Sequence, residues 1–330
     1  MRLKKENLRT PTPIFIFDIL AILSFIFSNS TEKMTEYTEE YHRLVKDLEG
    51  QLPSIPLIMD ELLRIVANPD AALFAVRDIL KLDKSIYAKI LRIANSVAHR
   101  EGVVDRISEI TEAMQRIGLE KVKQIALQNS VFKIFEEEKN GLTYNLESLW
   151  MHSVGVALAS QSLADILESQ LSENAYACGL LHDIGKVAKF KDSPQTFFKE
   201  VRYSMKKKES SHSSESKRNF LQHDLLGALI VEKWGLSEIV KNTTRWHHTL
   251  NRNDRINIED PSIHKLIDIV ILANHYIHEL EFGNSGHLSS APLPAEFLRR
   301  LRLTSELSEA CKEKIRIALE EEAEFTSIFL

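Results

Sequence analysis

The chain has 330 residues, with 42 Lys+Arg against 47 Asp+Glu and a formal charge of −5. That acidic balance argues against a protein that coats DNA, which would be strongly basic. Its 44% hydrophobic and 27% charged residues, with only 11 Gly and 9 Pro, exclude collagen-like and linker-dominated chains and speak against a Gly-rich barrel or sandwich.

The first residues differ from the rest. Arg2, Lys4, Lys5 and Arg9 precede an apolar stretch from Ile14 to Phe27, which ends in Ser28-Asn29-Ser30. Three readings stand side by side: an export signal, a weak membrane or membrane-surface segment, and a spurious or disordered extension ahead of a true start at Met34. The stretch is shorter than the roughly 20 apolar residues of a spanning helix, and Asp18 inside it is costly in lipid. Any membrane contact would therefore run only through residues 14–27.

From about residue 37 the apolar spacing is helical. Ser54 and Pro56 open a helix with Met59, Leu62, Leu63 and Val66 on one face. The sequence Asn68-Pro69-Asp70 ends it and caps the next, which carries Leu73, Val76, Ile79 and Leu80. Asp83 caps a third, with Ile86, Ile90 and Ile93 behind it. Ser108 opens a fourth that carries Ile110, Met114 and Ile117 and stops at Gly118. Residues 119–138 continue as a helix, and Asn140-Gly141 is a turn. A second helical block runs from about 146 to 280. Lys206–Arg218, rich in Ser, Lys and Glu, reads as a surface loop or insert. The tail from Thr304 to Leu330 reads as a charged amphipathic helix closing the domain. No alternating strand pattern and no internal repeat is present. The expected division is an extension over 1–33, a domain over 34–287 with lobes at about 50–138 and 146–285, and a helical tail over 288–330.

Cys178 and Cys311 are the only cysteines, which fits a reducing, cytoplasmic setting. The unusual count is 12 histidines. His152 shares a helical face with Val156, Ala159 and Leu163, so it points inward and needs a partner there. His182-Asp183 ends the apolar run Ala177–Leu181, just before Gly185. His223 and the pair His247-His248 follow. Neighbouring imidazole and carboxylate groups at a helix end can converge on a divalent cation, and Asp183 has two oxygens with which to bridge a second. Such N/O ligands suit Fe, Mn, Zn, Ni or Co, as one or two ions. Taken singly, each of these histidines reads more simply as a hydrogen-bonded core residue. Asp260-Pro261 opens a helix whose inner stripe, Ile267, Val270 and Ile277, also carries Asn274, a weaker ligand than a carboxylate. His42, His99, His212, His264, His275, His278 and His287 show no such grouping and read as surface or locally bonded residues, with His212 exposed.

At this point the sequence resembles a known family. The runs LWMHSVGVALAS and AYACGLLHDIGKVA resemble the HD superfamily of metal-dependent phosphohydrolases, and more narrowly its HDOD branch, the HD-related output domain. LPSIPLIMDELLRIVANPDA, the Asn95-Ser96 pair, the turn Ile117-Gly118-Leu119 and HDLLGALIVEKWGLSEIVKNTTRWHH carry the narrower match. The resemblance covers about residues 50–285. It implies an all-α fold of two helical lobes, an N-terminal helical bundle packed against an HD-like lobe. It also implies a role in bacterial signalling with protein partners and a nucleotide ligand.

His152, His182, Asp183, His223, His247 and His248 stand where an HD-type two-metal site would want them. Asn274 departs from the pattern, because an aspartate usually follows the alanine that is Ala273 here. That loses a carboxylate and puts hydrolysis in doubt. HD-GYP phosphodiesterases continue after the paired histidines with a Gly-Tyr-Pro segment; here Thr249–Asp254 follows, and that enzyme is disfavoured. The leading expectation is a signalling adaptor or output module that keeps a metal and does not hydrolyse. The rival is a metal-dependent phosphohydrolase or phosphodiesterase acting on a nucleotide or cyclic nucleotide. In it Lys186 would contact a substrate phosphate, against the simpler reading of a solvated lysine. Nucleic-acid binding rests only on Lys206–Lys208 with Lys217-Arg218 and is disfavoured.

Overall fold

The computed structural model describes residues 39–48, 77, 80, 84–100, 106–135, 146–287 and 291–326. By its contacts the chain divides into two compact units, Met1–Lys46 and Asp47–Leu330. In the first, residues 39–46 are helical. The extension 1–33, most of the two helices expected between 54 and 80, and the turn at Asn140-Gly141 lie outside the described residues. Among the described residues the secondary structure is helical throughout, with no strand, and no helix is long and apolar enough to cross a membrane.

Within the second unit, α1 (Lys84–Arg100), α2 (Ile110–Ile117) and α3 (Leu119–Phe135) pack on one another. Ile86, Ile90 and Ile93 of α1 are fully buried against Ile110, Met114 and Val122, as an i, i+4, i+7 stripe requires. Asn95 explains its place in the motif. Its amide donates to the Leu91 and Ile107 carbonyls at 2.7 and 2.8 Å, and its oxygen accepts from the Ile107 N–H at 2.9 Å. The side chain thereby staples the approach to α2 onto α1. Glu109, one residue beyond Ser108, occupies the cap position of α2. Gly118 separates α2 from α3 at φ +85°, a conformation that strains any side chain.

The larger lobe is built on α4 (Leu146–Leu167), α5 (Ser172–Leu181) and α11 (Pro261–Glu279), which pack together. Around them lie α6 (Ile184–Asp192), α7 (Pro194–Lys207), α8 (Ser211–Arg218), α9 (His223–Lys233) and α10 (Glu238–Trp246). Trp150 of α4 joins the lobes. It meets Phe132 and Phe135 of α3 edge-on at 5.3 and 5.2 Å.

Lys206–Arg218 is not a loop. It contains the end of α7 and all of α8. The sequence Ser211–Arg218 has no apolar period, so its helicity is invisible to spacing. The helix is held instead by the Ser210 side chain, which accepts from the Ser213 N–H, and by burial of Ser214 and Glu215. Lys217 pairs with Glu209, and Arg218 lies over Tyr203 and Phe220. Part of the expected basic patch is thus tied into the structure.

After the short α12 (Ala295–Arg300), the tail forms α13 (Ser305–Thr326), which packs on α4. Cys311, Ile315, Leu319 and Glu322 are its buried stripe. Glu322 accepts from Lys121 and Gln128 of α3 at 2.7 and 2.9 Å. Both cysteines are unpaired and buried. Burial pushes the Cys178 thiol up to about 12.

Candidate metal centre

The joint between α5 and α6 places Asp183 at the centre of the larger lobe, 1% exposed. Helix α5 is buried from Ala175 to Leu181, so its end delivers His182 and Asp183 into the interior. Gly185 then lets α9 approach. A Cβ on Gly185 would stand 1.9 Å from the His223 carbonyl oxygen and 2.8 Å from the Gly227 nitrogen. That contact brings His223, the first residue of α9, up to Asp183. His152 arrives from α4, and His247-His248 from the end of α10. Replacing Gly185 by Ala should force α6 and α9 apart and cost about 1–3 kcal/mol, as overpacking does. Urea unfolding checks this; an unchanged midpoint would contradict the close contact.

The two oxygens of Asp183 face different donors. Oδ2 lies 3.3 Å from His182 Nε2, 3.9 Å from His152 Nε2 and 2.7 Å from Lys186 Nζ. Oδ1 lies 3.2 Å from His223 Nε2 and 3.5 Å from His247 Nε2. His248 Nε2 is 2.9 Å from His223 Nε2. Two donor groups therefore share Asp183: one with His152 and His182, the other with His223, His247 and His248. Within each, one ligand atom per residue lies inside 4.8 Å of the others.

The ring orientations are fixed from behind. His182 Nδ1 donates to the Gly179 carbonyl and His247 Nδ1 to the Thr244 carbonyl, both at 2.7 Å. His223 Nδ1 faces Glu215 Oε2 at 2.7 Å. Each of these bonds consumes the Nδ1 proton and leaves the Nε2 lone pair aimed inward, the arrangement of a metal-binding imidazole. Four buried atoms then lack any hydrogen-bond partner: Nε2 of His152, His182 and His247, and Asp183 Oδ1. Leaving such atoms unpaired costs about 1–3 kcal/mol each. At metal–ligand bonds of about 2.0–2.2 Å, neighbouring donors sit roughly 3–3.5 Å apart, as Asp183 does from His182, His223 and His247, with His152 somewhat farther at 3.9 Å. The donor set fits a divalent cation.

Electrostatics agree. Burial raises the Asp183 carboxyl, but His182 and Lys186 beside it outweigh that and hold it well below the usual range. Burial pushes His247 down to about 4 and His152 and His248 well below their ordinary value. His223 moves the other way: burial lowers it, but the Glu215 and Asp183 carboxylates together outweigh that.

All six residues expected to form the cluster meet. Asn274 lines the adjoining cleft with its Oδ1 buried and unpartnered. Lys186 is 2% exposed and bonded to Asp183, so it is not a solvated lysine. His212, His278 and His287, read as ungrouped, lie around the cluster. His212 is part-buried rather than exposed and stacks on His248, with centroids 4.6 Å apart. His278 packs on His152 at 4.9 Å and on His287 at 4.4 Å. With His247, His248 and Asn274 they line a cleft of about 490 Å³. Glu215 was missed altogether. It sits in a segment without apolar spacing, and only its position eight residues before His223 could have drawn attention to it.

The HDOD domain profile matches residues 52–250. An uncharacterized protein of Treponema pallidum (strain Nichols) is 26% identical over 266 residues, 79% of this chain and 48% of that protein. The chain thus spans about half the length of that curated relative. Among solved structures it is similar to an HDOD domain protein of unknown function from Geobacter sulfurreducens, with TM-score 0.61, 22% identity, and 88% of this chain and 96% of that one covered. It is also similar to a signal-transduction candidate from Marinobacter aquaeolei VT8, with TM-score 0.68, 19% identity and coverage of 89% and 66%. A phosphohydrolase candidate from Shewanella amazonensis SB2B gives TM-score 0.59, 18% identity and coverage of 84% and 97%. At these identities the structures establish the shared all-α fold.

Proposed function

This chain belongs to the HDOD domain family, and on that premise we propose that it is a regulatory output or adaptor module of bacterial signalling. In this reading its buried His/Asp centre holds a divalent metal and turns over little or no phosphoester. One observation carries it: inward-facing donors of His152, His182, Asp183 and His247 are buried without hydrogen-bond partners, while the position that would add a closing carboxylate is Asn274. Asp183 with His152 and His182 on one side, and with His223, His247 and His248 on the other, would hold one or two ions. The bound metal would supply Lewis acidity and a lowered water pKa. The protein's own share is to fix the imidazoles and exclude water. Because Trp150, two residues from His152 on α4, packs on α3 of the smaller lobe, metal or nucleotide occupancy would be transmitted to the surface where a partner docks.

The phosphohydrolase reading is kept alive by the histidine-lined cleft that opens onto His247, His248 and Asn274. Elemental analysis of native protein, combined with turnover assays on bis(p-nitrophenyl) phosphate and cyclic nucleotides, tests both. The expected result is bound Fe, Mn, Zn, Ni or Co, absent from Asp183→Asn, with no metal-dependent turnover. Protein without metal would overturn the reading. Turnover abolished by Asp183→Asn would replace it with the hydrolase.

A further inference from the structure

Near the start of α11 three arginines close on one buried carboxylate, and we propose that they form a second binding site, for a doubly charged phosphoryl group. Inorganic phosphate and a small phosphate monoester both present that group. The carboxylate is Asp268, six residues before Asn274, or about 9 Å along the axis of α11. Its Oδ2 accepts from Arg252 Nε and Nη2 and from Arg300 Nε, and its Oδ1 from Arg255 Nη2 and Arg300 Nη2. A carboxylate has about four lone-pair sites, so Asp268 is saturated. The charges do not balance. Three guanidiniums on a single carboxylate leave two positive charges unanswered. The Thr249, Leu250 and His264 carbonyls, which take further bonds from Arg255 and Arg300, add dipoles and no charge. Asp254 and Glu296, the acids nearest in sequence to Arg252 and Arg300, are exposed and form no ion pair with either.

The surplus faces outward. Arg255 is buried with each of its nitrogens engaged. Arg252 and Arg300 are 33% and 24% exposed and hold Asp268 by their Nε and Nη2 edges. The Nη1 end of each has no acceptor among the described residues. His264, one turn before Asp268 on the same face of α11, adds a buried Nδ1 without a partner. A phosphate monoester carries about −1.5 to −2 at neutral pH, which matches the surplus. A carboxylate or a phosphodiester, singly charged, leaves half of it. The paired N–H donors of Arg also suit phosphate oxygens. Arg252, Arg255, His264, Asp268 and Arg300 all lie beyond residue 250, where the match to the family profile ends. Arg252 follows the paired histidines and Arg300 ends α12 of the tail. A ligand held by both would fasten the tail to the segment that leaves the His/Asp centre.

The test is a titration of full-length protein with inorganic phosphate at about pH 8, where phosphate is doubly charged, and at constant ionic strength. Calorimetry and the width of the phosphate phosphorus resonance report binding. Wild type should bind saturably. Arg252→Gln and Arg300→Gln should each weaken binding about tenfold or more, the loss of one charge-assisted contact. Asp183→Asn, which disables the metal centre, should bind as wild type does. Acetate and dimethyl phosphate, each singly charged, should bind about tenfold or more weakly than phosphate. Methyl phosphate as tight as phosphate identifies the ligand as an ester, and phosphate alone identifies it as the free ion. No saturable binding would overturn the site. Binding that Asp183→Asn abolishes and Arg252→Gln leaves intact would also overturn it, by moving the anion to the metal centre. Acetate as tight as phosphate would overturn the match to a double charge. Should Arg300→Gln fail to fold, Arg252→Gln decides, since that side chain is a third exposed.

Discussion

Asp268→Ala should destabilise the protein by about 3–5 kcal/mol, the range for removing one member of a buried charge network. Asp268 lies on α11 and is fully buried. Its carboxylate accepts from Arg252 Nε at 3.0 Å, from Arg255 Nη2 at 2.6 Å, and from Arg300 Nε and Nη2 at 2.9 and 2.8 Å. Without it Arg255, 3% exposed, is a buried cation whose charge nothing on α11 answers. Arg255 also donates to the Thr249 and His264 carbonyls, and Arg300 to that of Leu250. The cluster therefore anchors the chain just after His247-His248, where HD-GYP enzymes carry their Gly-Tyr-Pro segment. Expected in urea is a lowered midpoint at unchanged slope, together with weaker metal retention as the paired histidines lose their support. Arg252→Ala is the contrast: that side chain is a third exposed, and its loss should cost at most about 1 kcal/mol. If Asp268→Ala cost no more than Arg252→Ala, the anchoring role would be lost.

The difference between Asp268 and Asp183 shows what a sequence can reveal. Asp183 was legible because it sits beside His182 at the end of an apolar run, in order with His152, His223 and His247-His248. Local spacing put His152 on an inner helical face, and the resemblance supplied the part of His223 and His247-His248 and the meeting point of all six. Asp268 interrupts the apolar run Leu266–Ala273, a signal of burial. Its partners Arg252 and Arg255, on one short turn, and Arg300, at the end of α12, are brought to it only by the tertiary fold. Lys186 was legible as a member of the motif but not as a buried one, since spacing does not report how far a long side chain reaches inward. His278 stood on the helix opened by Asp260-Pro261, four residues after Asn274 and on its inner side, a signal that the spacing did carry; His212 and His287 stood on segments without apolar period. The same holds for α8, whose helicity depends on a serine cap and on burying Glu215, both consequences of packing rather than of local propensity.

Glu215→Gln should weaken metal binding about 10–100-fold, the usual effect of removing a group that orients a metal-binding histidine. Glu215 Oε2 accepts from His223 Nδ1 at 2.7 Å and from the His223 N–H at 3.2 Å, while Oε1 accepts from Lys189 at 2.6 Å. A glutamine presents one oxygen where two are needed, and its amide N–H₂ must oppose either His223 or Lys189. The pH dependence gives an independent check on metal-free protein. Burial raises Glu215, but His223 and Lys189 bring it from 4.5 to about 2. Its contribution to stability is therefore fully present above 4.5 and is lost as pH falls toward 2. His223 is raised above 6.5, so its contribution is fully present below 6.5 and is lost as pH rises through the raised value. Together the pair stabilises most between about 4.5 and 6.5, and Glu215→Gln should flatten both limbs. Metal binding needs the His223 Nε2 lone pair free of a proton, so uptake by wild type should strengthen as pH rises through that range and release a proton. Urea midpoints at a series of pH values, with and without Mn²⁺, measure all three effects. Superimposable profiles for wild type and Glu215→Gln would show that the carboxylate neither holds His223 nor charges it.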